Sequence, residues 1–259
     1  MKKSALGGVV IALGGVAVGL YLDGGRLMQL VQPTAALIVF GGTLGAVIVQ
    51  FPFHVLVQAV QYLKGVFLGE DDPSPQLIED LTRYALKARR NGVLSLDNEL
   101  NVVRDPFLRK CLTMAVDGAR APELRHTMEL AMDLEAEEEN SIPRVFEAAG
   151  GFAPTIGILG AVIGLIQVMQ HLENINEVGK GIAAAFVATI YGVGVANLFL
   201  LPCAGRIKRL VNRRQARREM MLEGVLEIIE KSSPGSIEAK LAVYLNEPTR
   251  LRPVTSIAQ

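Results

Sequence analysis

The sequence has no tryptophan, two cysteines and only 5% aromatic residues in 259 positions. Cys111 and Cys203 are too few for a disulfide framework or a cysteine-built zinc site. Net charge is missing as well. The 26 Lys and Arg balance 26 Asp and Glu, so the chain lacks the electrostatic footprint of a nucleic-acid binder. His54, His126 and His171 lie far apart, without the i, i+4 pairing of a helical metal site, and no Gly-rich phosphate loop ends in Lys-Ser/Thr. No catalytic residue, metal ligand or cofactor is therefore expected, and no nucleic acid among the partners.

What is abundant is apolar: half of the residues are hydrophobic and 26 are glycine. Charge is segregated into blocks. Ser4 to Leu22, Leu27 to Leu63, Ala148 to Leu172 and Gly181 to Gly205 contain no Asp, Glu, Lys or Arg. Crossing the hydrocarbon core takes about 20 apolar residues as a helix, and each run is long enough. The first has the two lysines of a leader peptide, but its apolar stretch is long and no small-residue cleavage site follows, so it reads as a retained helix. Pro33 and Pro52 bracket the spanning part of the second.

The short connections Asp23 to Gln32 and His171 to Lys180 join the spans into two hairpins. Each carries one basic residue, Arg26 or Lys180. Lys2, Lys3 and the cluster Arg206, Lys208, Arg209, Arg213, Arg214, Arg217 and Arg218 lie on the opposite side. Basic residues near span ends stay in the cytoplasm, which places both termini and the middle segment there. The fold class is thus all-α: a polytopic membrane protein with four transmembrane helices and a large helical cytoplasmic loop. Residues 1–63 form the first hairpin, with spans at about 4–22 and 33–51. Residues 64–147 form the loop, 148–205 the second hairpin and 206–259 a cytoplasmic helical tail.

The loop carries helical periodicity. After the breaker Gly69 to Pro75, Leu77, Ile78, Leu81, Tyr84, Ala85 and Ala88 recur at 3- and 4-residue spacing, and Asn91-Gly92 is a stop. Shorter helices are expected around Leu96 to Val103 and Pro106 to Val116. Pro122 opens a long helix with Leu124, Met128, Ala131 and Leu134 on one side, able to run past Pro143 into the third span. The tail is expected to extend the fourth span, with Leu210, Leu222, Val225, Leu226 and Ile229 apolar.

An ion path usually shows itself by an intramembrane carboxylate or base, and none lies in these spans. Either the chain is a structural membrane protein, or the titrating acid sits on another subunit. Gly15-x-x-x-Gly19, Gly41-x-x-x-Gly45 and Gly160-x-x-x-Gly164 allow close helix packing. Pro154 and Pro202 each free a backbone carbonyl, which the hydroxyls of Thr155 and Thr189 are placed to satisfy.

Two segments, AAGGFAPTIGILGAVIGLIQVM (Ala148 to Met169) and IAAAFVATIYGVGVANLFLLP (Ile182 to Pro202), together with the span order, loop and basic tail, resemble the A subunit of the bacterial flagellar motor stator, the MotA/PomA type. The TolQ/ExbB families are more distant. An energy-transducing scaffold of that kind, with three spans and another loop order, is the alternative. The stator resemblance implies a proton channel in the inner membrane that drives motility and chemotaxis. Five A subunits would surround two B subunits, each with one membrane helix bearing an essential aspartate and a peptidoglycan-binding domain. Pro154, Thr155, Ala161, Thr189, Tyr191 and Pro202 would belong to the ion pathway. In sodium-type relatives two threonines supply hydroxyls near the partner's aspartate. Here Ala161 occupies the first position and Thr189 the second, which implies proton coupling. The family's loop carries an Arg followed eight residues later by a Glu, facing the rotor's switch protein. Here Arg89 is followed at that spacing by Asp97, and Arg90 is followed nine residues on by Glu99.

The charge asymmetry gives a topology prediction. Reporters fused at Gly25 and Asn176 are expected to read as periplasmic, and those at Asp72 and after Gln259 as cytoplasmic. A cytoplasmic signal at Asn176 would overturn the four-span arrangement.

Overall fold

The computed structural model of the chain describes residues 2–68 and 72–245, with backbone alone for 2–6 and 68. The part of the acidic breaker at 69–71, the tail from 246 onward and the reporter position Gln259 lie outside the described residues. All regular elements among the described residues are helical: α1 (Lys2–Leu22), α2 (Pro33–Gln50), α3 (Phe53–Leu68), α4 (Ser74–Asn91), α5 (Pro106–Val116), α6 (Ala121–Gln170), α7 (Ile175–Ile229) and α8 (Pro234–Leu241). Of these, α2, α6 and α7 are long and apolar enough to cross a membrane, and the described apolar stretch of α1, Gly7–Leu22, is shorter.

Local chemistry sets the boundaries. Pro33 starts α2 at the position where a missing N–H costs least, and Pro52 separates α2 from α3. Asp105 caps α5 by accepting from the N–H groups of Phe107 (2.9 Å) and Leu108 (3.1 Å), with Pro106 next. Gly92 ends α4 at φ +83°, a conformation that favours glycine, while its N–H donates to Ala88 O. As expected, α6 runs unbroken through Pro143 and also through Pro154. The predicted helix at Leu96 to Val103 is instead a 3-10 segment, Val93–Glu99, followed by turns. Two helices contain a π turn, Leu37–Gly41 in α2 and Ala196–Leu200 in α7. The second lies just before Pro202 and is closed by the Leu201 N–H donating to Ala196 O, an i to i+5 bond that takes in one extra residue.

The chain divides into two compact units. One comprises residues 1–70 and 137–211. Its larger core gathers Val47, Val55, Ala59, Val66, Ile142, Phe146, Cys203 and Ile207, and a smaller one joins Ala35 and Val39 to Val187 and Ala188.

The other unit comprises residues 71–136 and 212–259. Its core brings the predicted stripe of α4 (Ile78, Leu81, Tyr84, Ala85, Ala88) against Leu108, Cys111 and Leu112 of α5, Leu124 and Met128 of α6, and Met220, Leu222 and Val225 of α7. Burial pushes the Cys111 thiol up to about 12, so it packs as a small hydrophobe. One expected core residue differs. Leu134 is 63% exposed, and Met132 packs against this core in its place. From Met128, a step of four stays on one side of a 3.6-residue helix, whereas a step of six turns away.

In the same unit Lys240 of α8 donates to Glu223 (2.9 Å) and Glu227 (2.7 Å) of α7, and Arg125 of α6 pairs with Glu223 at 2.7 Å. Burial alone would raise the Glu223 carboxyl, but hydrogen bonds from Lys240 and Arg125 outweigh it and hold it below its usual range. The bond from Lys240 lowers Glu227, and the two glutamates raise Lys240. Depressed acids stabilise above their unfolded pKa and lose that as pH falls through the folded value. A raised lysine stabilises below its unfolded pKa and loses that as pH rises through the folded value. The cluster is therefore fully effective between roughly pH 4.5 and 10.5. Lys240→Met is expected to cost about 1 kcal/mol, the upper end for partly exposed pairs. Thermal melts at pH 7 should show the loss, and the gap to the parent should shrink toward pH 3.

Candidate functional site

The membrane-type unit is organised around the seam between α6 and α7. Glycine and alanine line both sides. A β-carbon on Gly157 would lie 2.9 Å from Ala188 O and 3.2 Å from Gly192 Cα. One on Gly164 would lie 3.0 Å from both Ala185 N and Gly181 O. Gly160 would meet the Ala188 methyl at 2.9 Å, and Gly192 would run into the Ala153 carbonyl. Backbone touches backbone along three turns, the contact that small residues permit in membranes. Of the three small-residue pairs marked in the sequence, only Gly160/Gly164 is used this way within the chain. Added β-carbons at Gly15, Gly19, Gly41 and Gly45 meet nothing within 4 Å.

The seam brings the Pro154–Gly157 turn against the Thr189–Gly192 turn. Pro154, Ala161 and Thr189 are half-buried, while Thr155 is exposed. The threonines do not satisfy the proline-freed carbonyls. Thr155 Oγ1 donates to Phe152 O at 2.8 Å and Thr189 Oγ1 to Ala185 O at 3.4 Å, each within its own helix. For Pro154 the carbonyl that loses its usual helical donor is that of Gly150, whereas the Thr155 hydroxyl bonds that of Phe152. Tyr191 is committed elsewhere. Its hydroxyl donates to Leu30 O, accepts from the Gln32 N–H at 3.3 Å, and its ring lies 5.9 Å from that of Phe40. It ties α7 to the start of α2. Pro202 is exposed and lies apart from the seam, near α1 and α3. A polar residue not singled out in the sequence, Thr43, is buried in α2 and donates to Val39 O at 2.6 Å beside the π turn.

Outward from the seam, Ile158, Leu159, Val162, Phe186 and Val193 are exposed. The facing stretches, residues 148–172 of α6 and 181–205 of α7, thus offer apolar surface, two threonines and no Asp, Glu, Lys or Arg. It can shape a path for an ion, but a titrating group must come from elsewhere.

In the other unit, the loop charges separate into two kinds. Arg89 and Arg90 are exposed in the last turn of α4, where cations suit the helix dipole. Asp97 is exposed in the following 3-10 segment. None of the three makes an ion pair among the described residues. Glu99 behaves differently: its Oε1 accepts from Lys87 Nζ at 2.6 Å, with both side chains mostly covered, 26% and 32% exposed. That pair pins the 3-10 segment to α4. Residues twelve apart across a helix stop have no periodic signature, so sequence spacing could not separate Glu99 from Asp97.

A helical chain with a glycine seam and no Asp, Glu, Lys or Arg in its long apolar stretches fits the class of membrane subunits in which any titrating group must come from a partner. Residues 99–220 match the MotA/TolQ/ExbB proton channel family and residues 6–92 match the motility protein A N-terminal family. The chain is 36% identical to motility protein A of Bacillus subtilis (strain 168) over 97% of its length and 94% of the relative's. Its fold matches the flagellar MotAB stator complex from Bacillus subtilis with a TM-score of 0.84 at 36% identity, covering 93% of this chain and 94% of that one. It matches the MotAB structure from C. jejuni with a TM-score of 0.89 at 29% identity, covering 96% and 98%. The chain belongs to the MotA/TolQ/ExbB proton channel family.

The seam makes a stability prediction. Gly157→Ala puts a methyl against backbone that cannot swing away, an overpacking cost of about 1–3 kcal/mol. Gly179→Ala adds a methyl in open space. In detergent-solubilised protein the first should lower the thermal midpoint by several degrees and the second should leave it unchanged or raise it.

Proposed function

We propose that this chain serves as the A-type subunit of a flagellar stator, and that the α6/α7 seam is its wall of the proton path. The supporting observation is the combination of a closely packed seam, uncharged over residues 148–172 and 181–205, with membership of a proton channel family. Both structural relatives are described as MotAB complexes, which supports a B-type partner that supplies the acid on its membrane helix. In this reading α1 is a fourth span, both termini are cytoplasmic in the inner membrane, and five copies surround two partner helices. Proton passage turns the ring and the loop pushes the rotor's switch protein.

Ala161 and Thr189 bear on the coupling ion. Sodium must exchange hydration water for oxygen ligands, as hard cations do, while a proton needs only an acceptor. A methyl at Ala161 offers no ligand. Swimming speed is expected to be independent of sodium at fixed pH and membrane potential. Ala161→Thr alone is not expected to confer sodium use. Speed that follows external sodium would refute proton coupling.

For the rotor contact the reading favours Arg89, Arg90 and Asp97 over Glu99, because Lys87 already holds Glu99. Exposed pairs are worth about 0–1 kcal/mol each, and several weak steering charges suit a contact that forms and releases repeatedly. Arg89→Ala or Arg90→Ala alone should slow swimming modestly. Reversing both to Glu should nearly abolish it without lowering protein level. Glu99→Gln should reduce thermal stability more than its direct effect on the rotor would explain, and Lys87→Gln should copy it. Normal swimming by the double reversal, as the sole stator present, would remove this segment from torque generation.

A further inference from the structure

A groove of about 330 Å³ lies within the membrane-type unit, between the first turns of α1, the last turn of α3 and the stretch of α7 around Pro202. Its walls are mainly apolar, with Val9 and Ala12 of α1, and Phe67 and Phe199, whose rings stack 6.2 Å apart, and one amide, Asn197, which donates to Val193 O at 3.0 Å. Its rim is basic, with Arg206 and Arg209 one helical turn apart. Arg209 is exposed, donates to Gly205 O at 3.4 Å, and pairs with no acid among the described residues. Gly8 contributes to the opening, and a β-carbon there would meet nothing within 4 Å.

A groove with apolar walls and a basic rim, open to its surroundings, suits an amphipathic occupant. We infer that it binds an anionic glycerophospholipid of the inner leaflet, with the phosphate between Arg206 and Arg209 and an acyl chain against Val9, Ala12 and the phenylalanine pair. Two features carry this. The basic rim lies where charge first reappears after an uncharged span, the level at which a helix leaves the hydrocarbon. Basic pockets between membrane helices on the cytoplasmic side are sites for lipid head groups, and the guanidinium fork matches phosphate oxygens. The inference needs only the cytoplasmic placement of Arg206, which the Asn176 and Asp72 reporters check separately, so it can fail while the stator reading stands.

The test is native mass spectrometry of the full chain in mild detergent, titrated with dioleoylphosphatidylglycerol or dioleoylphosphatidylethanolamine. Retention of the anionic lipid is expected to be preferred. Arg206→Gln with Arg209→Gln should weaken that lipid by about fivefold per charge removed, or about 1 kcal/mol each. Ala12→Phe, which fills the groove and keeps the rim, should reduce binding of both lipids. A photoreactive amino acid placed at Ala12 in membranes should label lipid. Equal retention of the two lipids, indifference to both variants, or a photoproduct with a second copy of this chain or with another membrane helix would each overturn the inference.

Discussion

Close backbone contact between α6 and α7 is the constraint on which the rest of the membrane-type unit depends. Gly157, Gly160 and Gly164 face Gly181, Ala185, Ala188 and Gly192 so tightly that few positions on either side have room for another carbon. In lipid there is no hydrophobic gain from helix association, so dispersion at this contact and satisfied backbone bonds must hold the pair together. The seam also fixes which residues turn outward. Ile158, Leu159, Val162, Phe186 and Val193 are left exposed, and Thr189 is brought beside Gly157.

The absence of charge from the seam and the density of charge elsewhere are complementary. In the proposed proton path, a fixed carboxylate in the seam would compete with one supplied by a partner, because two like charges close together shift each other's titration strongly. Under that proposal, a neutral wall lets one acid set the proton affinity. The unit of residues 71–136 and 212–259 uses the opposite approach. Arg125, Glu223, Glu227 and Lys240 neutralise one another around a packed core, while Arg89, Arg90 and Asp97 make no ion pair among the described residues.

Much of this was legible in the sequence because it is local. The α4 stripe from Ile78 to Ala88 is a 3.6-residue pattern, and its burial follows. The Asn91-Gly92 stop, the Pro106 start and the uncharged runs likewise need only neighbouring residues. What escaped was set by distant residues. Tyr191 finds Leu30 across 161 positions, and no periodicity announces that. Leu134 looked like a continuation of the Leu124–Met128 side, but the buried line follows steps of four through Met132. Thr155 and Thr189 were expected to satisfy the proline-freed carbonyls, but each found an acceptor in its own helix instead, the shortest reach available.

The π turn at Ala196–Leu200 holds one residue more than an α-helical turn would need. Every side chain beyond it on α7 is therefore rotated by about 100° relative to an uninterrupted α-helix, the angle per residue of a 3.6-residue repeat. The glycine seam before the turn and the Cys203, Ala204 and Ile207 core contacts after it are both met because that surplus is absorbed between them. A single-residue deletion here would not simply shorten the helix. It would force a choice between the two contact surfaces, so chain length at this turn is as tightly specified as side-chain size is in the seam.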